Sequence, residues 1–132
     1  MARILVADDE YLFATAYKDA LTAEGHEVRC CGNGRIALAA IESFKPDLIL
    51  TDFAMPDVDG SELARALRRD PRCAQIPIIL VTAHLRDLAA EDVMLFDAVI
   101  ERPISDRAVV ASVAKALRDT KRRDGTVPTT AC

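Results

Sequence analysis

Asp8-Asp9, Asp52, Thr82 and Glu101-Arg102-Pro103 each follow directly on a short apolar run. The runs are Ile4–Ala7, Leu48–Thr51, Ile78–Val81 and Ala98–Ile100. As parallel strands they would gather three carboxylates, a hydroxyl and a guanidinium on one rim of one sheet. Such a rim suits a divalent cation and a phosphoryl group. Two carboxylates about 4 Å apart repel by on the order of 4 kcal/mol at an effective dielectric near 20. Protonation or a hard cation relieves that repulsion. Mg²⁺ favours one or two carboxylates, several waters and a phosphate oxygen. Asp9 and Asp52 are therefore candidate direct ligands, Asp8 acts through water, and a backbone carbonyl from the loop after Asp52 completes the set. A carboxylate is also a nucleophile, and its attack on phosphorus gives an acyl phosphate. That chemistry needs in-line positioning and charge neutralisation more than proton transfer. The cation and Arg102 would supply the positive charge, and Thr82 would donate its hydroxyl to a phosphoryl oxygen. No His or Cys nucleophile lies near these strand ends unless His84 turns inward.

The elements that must position these residues alternate strictly. Tyr11–Glu24 carries Phe13, Tyr17, Ala20 and Leu21 at helical spacing and stops at Gly25. His26–Cys31 alternates like a half-exposed edge strand, with His26 as a strand-start residue. After the Gly32-Asn33-Gly34 turn, Arg35–Phe44 sets Ile36, Ala37, Ala40, Ile41 and Phe44 on one helical stripe, broken at Lys45-Pro46. Leu48–Thr51 and Ile78–Val81 lack alternation, as strands covered on both faces do. Helices are predicted at about Ser61–Arg69, less regularly at Arg86–Phe96, and from an N-cap at Ser105 with Val109, Val110, Val113, Ala116 and Leu117 inward. Asp57 and Asp59 shape the preceding loop and cap the third helix. Five such units predict a doubly wound parallel sheet with order 2-1-3-4-5, its crevice between Asp8-Asp9 and Asp52. Residues 1–120 form the expected domain and 121–132 a polar, frayed tail.

Bulk properties narrow the function. The chain has 132 residues, is 51% hydrophobic and carries a net charge of −4, which argues against a nucleic-acid binder. No apolar stretch is long enough to span a bilayer and no signal-peptide pattern opens the chain, so a cytoplasmic protein is expected. Cys30, Cys31, Cys73 and Cys132 form no C-x-x-C pair and read as reduced thiols. No P-loop motif is present.

Asp8-Asp9, the run Asp52-Phe53-Ala54-Met55-Pro56-Asp57-Val58-Asp59-Gly60, Thr82-Ala83 and Arg102-Pro103-Ile104 together resemble the receiver domain of two-component response regulators. The resemblance spans residues 3 to about 118. It implies the flavodoxin-like (βα)5 fold and Asp52 as phosphoacceptor, with Asp8 and Asp9 as the acidic pocket. It also implies the Ala54 carbonyl as a ligand to Mg²⁺ or Mn²⁺, Thr82 as the switch hydroxyl, and Gly60 at the close turn into the third helix. The implied partners are a histidine kinase or a histidine phosphotransfer protein, and a downstream protein at the face of the fourth helix, fifth strand and last helix. The reading is of a single-domain regulator, monomer or weak homodimer, that at most phosphorylates and dephosphorylates itself.

Two residues depart from the family pattern. Arg102 stands where the family carries Lys, and Arg is planar, longer and no simple substitute for an ammonium. It either grips the phosphoryl group or sits away from the pocket, paired with Glu101 or Asp106. Val99 stands where an aromatic often reports the state of the switch hydroxyl, so output from Thr82 must travel by loop and helix displacement. Ala54 and His84 occupy the positions that modulate phosphate loss, and Ala54 cannot orient a water. The alternative from another class is a pseudo-receiver scaffold that turns over no phosphate. A metal-dependent phosphatase lacks a second nucleophile-and-acid pair.

Overall fold

The computed structural model describes residues 1–123, with side chains to residue 120. The tail expected over 121–132 lies outside the described residues, apart from the last helical backbone through Arg123. Five strands, β1 (Arg3–Ala7), β2 (Glu27–Cys31), β3 (Leu48–Thr51), β4 (Ile78–Thr82) and β5 (Ala98–Glu101), form one parallel sheet in the order β2-β1-β3-β4-β5. The α-helices are α1 (Tyr11–Ala23), α2 (Gly34–Phe44), α3 (Gly60–Arg69) and α4 (Asp106–Arg123). None of the described helices is long and apolar enough to cross a membrane.

The central strands are apolar throughout because both faces are covered. Side chains alternate with period two. Leu5, Ala7, Ile49, Ile78 and Leu80 pack with Ala37, Ile41 and Phe44 of α2 and Leu63, Ala64 and Leu67 of α3. Ile4, Val6, Leu48, Leu50, Ile79 and Val81 pack with Tyr17 and Leu21 of α1 and Val109 and Val113 of α4. At the carboxyl ends the ladder continues one residue past three strands. Asp8 N–H donates to the Cys31 carbonyl (3.0 Å), Asp52 N–H to Ala7 (2.8 Å) and Arg102 N–H to Thr82 (2.9 Å). The backbones of the three charged residues are thus fixed by the sheet itself.

Local signals set the helix starts. The Asn33 side chain accepts from Ile36 N–H, Asp59 and Glu62 form a reciprocal capping box, and Ser105 Oγ accepts from Ala108 N–H. Asp57 takes a left-handed conformation (φ 69°) in the loop before α3. The stripe on α2 holds except at Ile36, which is exposed. It occupies the first turn, beyond the reach of the sheet.

The helix expected over Arg86–Phe96 is not an α-helix. Two 3₁₀ turns, Leu85–Asp87 and Ala90–Leu95, stand there, and only Leu88 and Phe96 of the segment are buried. Long-range polar contacts from α3 override the weak local pattern. Arg65 pairs with Asp92 (2.8 Å), and Arg68 donates to the carbonyls of Leu95, Ala74 and Ile76 and to Asp97. The Leu95 carbonyl is taken by a guanidinium and not by a following helical turn.

Gly60 marks the closest approach between a helix and the site. Its N–H donates to the Phe53 carbonyl (2.8 Å), and a Cβ there would run into the Asp52 carbonyl oxygen and stand 3.0 Å from Phe53 Cα. Gly60→Ala is expected to destabilise the fold by about 1–3 kcal/mol in urea denaturation, because backbone at the end of β3 must shift. Gly32→Ala, with nothing within 4 Å of the added Cβ, serves as the control. Equal stability of both variants would contradict this account of the contact.

Candidate functional site

Asp8, Asp9 and Asp52 offer carboxylate oxygens that all lie within 4.8 Å of one another. They stand at the carboxyl ends of β1 and β3, adjacent strands on either side of the point where strand order reverses. Asp8 and Asp52 are 4% and 6% exposed, so water cannot screen their repulsion. Asp9 is exposed. Burial, reinforced by the neighbouring Asp8 charge, pushes the Asp52 carboxyl up to about 6, against a partial offset from Phe53 N–H and Arg102. Burial also lifts Asp8 above the ordinary carboxylate range, although Glu10 N–H and Arg102 pull the other way.

The two oxygens of each buried carboxylate are used differently. Asp8 Oδ1 accepts from Glu10 N–H (2.9 Å) and Oδ2 from Arg102 Nη2 (2.6 Å). Asp52 Oδ1 accepts from Phe53 N–H (2.8 Å) and faces Arg102 Nη1 at 3.5 Å. Asp52 Oδ2 has no hydrogen-bond partner among the described residues.

Arg102 lies in the pocket. Its side chain is 8% exposed and pairs with Asp8 and Asp52, not with Glu101 or Asp106. Its Nε donates to the Tyr17 hydroxyl (3.0 Å), and its guanidinium lies 4.0 Å from the centroid of the Phe13 ring. Reading the helix as a core stripe missed this role for Phe13 and Tyr17. The available signal was the Tyr17 hydroxyl, since a phenol buried on an apolar helix face usually finds a polar partner.

The remaining candidates differ in burial. Thr82 is fully buried at the end of β4, and its Oγ1 accepts from His84 N–H (2.8 Å). His84 and Ala54 are exposed. Val99 is half-buried against the core cluster that contains Leu80.

The donor set fits a hard divalent cation. All three side chains are oxygen donors, and the Ala54 carbonyl accepts no hydrogen bond among the described residues. Three carboxylates against one guanidinium leave a formal charge of −2, which a divalent ion neutralises.

Comparisons with known proteins identify relatives of the chain and of its fold. The phosphate regulon transcriptional regulatory protein PhoB of Pseudomonas aeruginosa is 37% identical over 131 residues, covering 95% of this chain and 56% of PhoB. The transcriptional regulatory protein AfsQ1 of Streptomyces coelicolor is 32% identical over 127 residues, 92% of this chain and 54% of AfsQ1. The chain thus spans about half the length of the curated relatives it matches. Among solved structures, a CheY-like receiver domain protein from Methanospirillum hungatei superposes with a TM-score of 0.82 at 26% identity, covering 93% of this chain and 98% of that one. The response regulator TrrA of Thermotoga maritima, solved in complex with Mg(2+)-BeF, gives 0.80 at 30% identity over 88% of this chain and 99% of its own. The response regulator receiver domain pattern matches residues 4–114, which include the acidic cluster, Thr82 and Arg102, and the chain belongs to that family.

Proposed function

We propose that Asp52 accepts a phosphoryl group from a phosphohistidine of a histidine kinase or phosphotransfer protein, in a Mg²⁺-dependent reaction, and that the domain then signals through a changed protein-binding face. The observation that carries this reading is the asymmetry at Asp52. One oxygen is held by Phe53 N–H beside Arg102, and the other is uncommitted in a pocket that already holds a cationic side chain. Receiver domains bind Mg²⁺ at an acidic pocket and interact with histidine kinases and downstream partners.

In this reading Asp52 Oδ2 attacks phosphorus and the bond from phosphorus to the donor imidazole nitrogen breaks. Asp8, Asp9, Asp52 and the Ala54 carbonyl would hold a divalent ion, which would neutralise charge at the phosphoryl oxygens. Arg102 contributes a second positive charge. Thr82 is buried one strand away, and turning its hydroxyl proton toward the new anion leaves the contact from His84 N–H intact. Movement at Thr82 and His84 pulls directly on Leu85–Asp87, the first 3₁₀ turn, so the output face is this segment with β5 and α4. Val99, half-buried against the core, is part of that face. The domain is a phosphoacceptor and not an enzyme acting on a separate substrate. The net charge of −4 favours a protein as its output partner, and we place it in the cytoplasm as a monomer or weak homodimer. Arg102 inside the pocket favours phosphate turnover over the scaffold alternative.

Incubation with a small phosphodonor and Mg²⁺ is expected to add one phosphoryl mass to the wild type and none to Asp52→Asn. A folded wild type that never gains that mass would reduce the domain to a scaffold.

The Asp52 carboxyl also predicts a pH dependence. Its value is near 6 in the folded state against 3.8 for the free side chain, so the folded protein holds the proton more tightly than the unfolded chain. The resulting stability is fully present below 3.8 and is lost as pH rises through 6. Asp52→Asn, which never ionises, should exceed the wild type at pH 8 by up to about 3 kcal/mol in metal-free urea denaturation, an advantage that fades by about pH 4. An advantage independent of pH would refute the buried-charge explanation.

A further inference from the structure

We propose that Tyr17 and Phe13 are positioning residues that lock the Arg102 guanidinium into the acidic pocket as a resident counter-cation, with which a divalent ion must compete at Asp8. The proposal deepens the phosphoacceptor reading and rests on it for its kinetic arm alone.

Every part of the guanidinium is engaged. Nε donates to Tyr17 Oη (3.0 Å), Nη2 to Asp8 Oδ2 (2.6 Å), and Nη1 faces Asp52 Oδ1 (3.5 Å). The planar face lies 4.0 Å from the Phe13 centroid. Phe13 and Tyr17 are four apart on α1, with ring centroids 6.3 Å apart and planes inclined by 19°, so they form one aromatic wall. Tyr17 is 3% exposed, and its hydroxyl meets Arg102 inside the protein. A lysine ammonium has neither the planar face nor the fork to meet the ring, the phenol and two carboxylates together. The aromatic wall and the arginine therefore work as one device.

The competition follows from Asp8. Glu10 N–H engages Oδ1 and Arg102 holds Oδ2, so a cation at Asp8 must share an oxygen with a donor, and Oδ2 is the one that carries the competing positive charge. Loosening the guanidinium frees that oxygen for metal. The same loosening withdraws a fixed positive charge from the phosphoryl position. The two effects run in opposite directions, which a merely structural role for Tyr17 would not produce.

The test measures Mg²⁺ and Mn²⁺ binding by calorimetry in the full chain for wild type, Tyr17→Phe, Phe13→Leu, Arg102→Gln and the Tyr17→Phe/Arg102→Gln double variant. Circular dichroism reports folding. Tyr17→Phe should tighten the Mg²⁺ Kd about three- to tenfold, the range expected for losing one ordinary hydrogen bond. Phe13→Leu should move it in the same direction, and keeps the question open to test if Tyr17→Phe does not fold. In the Arg102→Gln background Tyr17→Phe should have no further effect, as coupling through Arg102 demands. At saturating Mg²⁺ the phosphorylation rate from a small donor should fall about three- to tenfold in Tyr17→Phe, by the same reasoning. Unchanged or weakened metal binding in both aromatic variants overturns the proposal. So does a Tyr17→Phe effect of equal size with and without Arg102. If the metal-binding pattern appears but no variant, wild type included, gains a phosphoryl group, the positioning role stands and the phosphoacceptor reading falls.

Discussion

The buried ion pair between Arg102 and Asp8 is the contact on which the site's arrangement depends. It joins the residue after β5 to the residue after β1, across the ends of β4 and β3. At the usual strand spacing that crossing is about 14 Å between backbones. The long guanidinium side chain closes it at 2.6 Å, and in doing so it passes beside Asp52. Removing one member of such a pair leaves the other charged and dry, which costs about 3–5 kcal/mol. The pair contributes less to net stability than to specification. It fixes where positive charge stands relative to the acceptor oxygen.

That arrangement is affordable because the sheet beneath it is so well determined. The backbones of Asp8, Asp52 and Arg102 are held by ladder hydrogen bonds that outrun the strands by one residue. Like charges therefore cannot relax apart by backbone movement. Protonation, a counter-cation or a metal are the remaining ways to relieve them, and the Asp52 carboxyl is raised first by its burial and then by the Asp8 charge, against which Arg102 is only a partial offset. The residual formal charge of −2 favours a divalent cation at this pocket.

What could be read from the chain follows the same physics. Ile49 and Leu48, or Leu80 and Ile79, face opposite helical layers, so unbroken apolar runs marked the central strands, and the acids at their ends marked the site. Capping at Asn33, Asp59 and Ser105 is local chemistry and was visible as such. The segment from residue 85 to 95 was not legible, because its shape is imposed by Arg65 and Arg68, about 27 residues away along the chain. Local propensity carries no trace of such contacts. Which way Arg102 points was undecided for the same reason, since its partners come from β1, β3 and α1. Phe13 and Tyr17 were hidden in plain spacing: the helical period does not distinguish the buried Tyr17 ring, or the exposed Phe13 ring beside it, packed on aliphatics from one packed on a cation.

Departure from the family pattern at one position then has to be read with its surroundings. Arg in place of Lys would be a poor exchange in an aliphatic pocket, where the extra donors would be left without partners. Here the extra donor, Nε, meets the Tyr17 hydroxyl, and the planar face meets Phe13. The substitution and the aromatic wall account for one another. The same logic applies on the output side. With Val99 at that position, no aromatic rotamer is available there to carry a signal, and the segment after Thr82 is short-turned and tied to α3 by two arginines. A displacement that starts at Thr82 would work against those ties, so the strength of the Arg65 and Arg68 contacts would limit how far it travels.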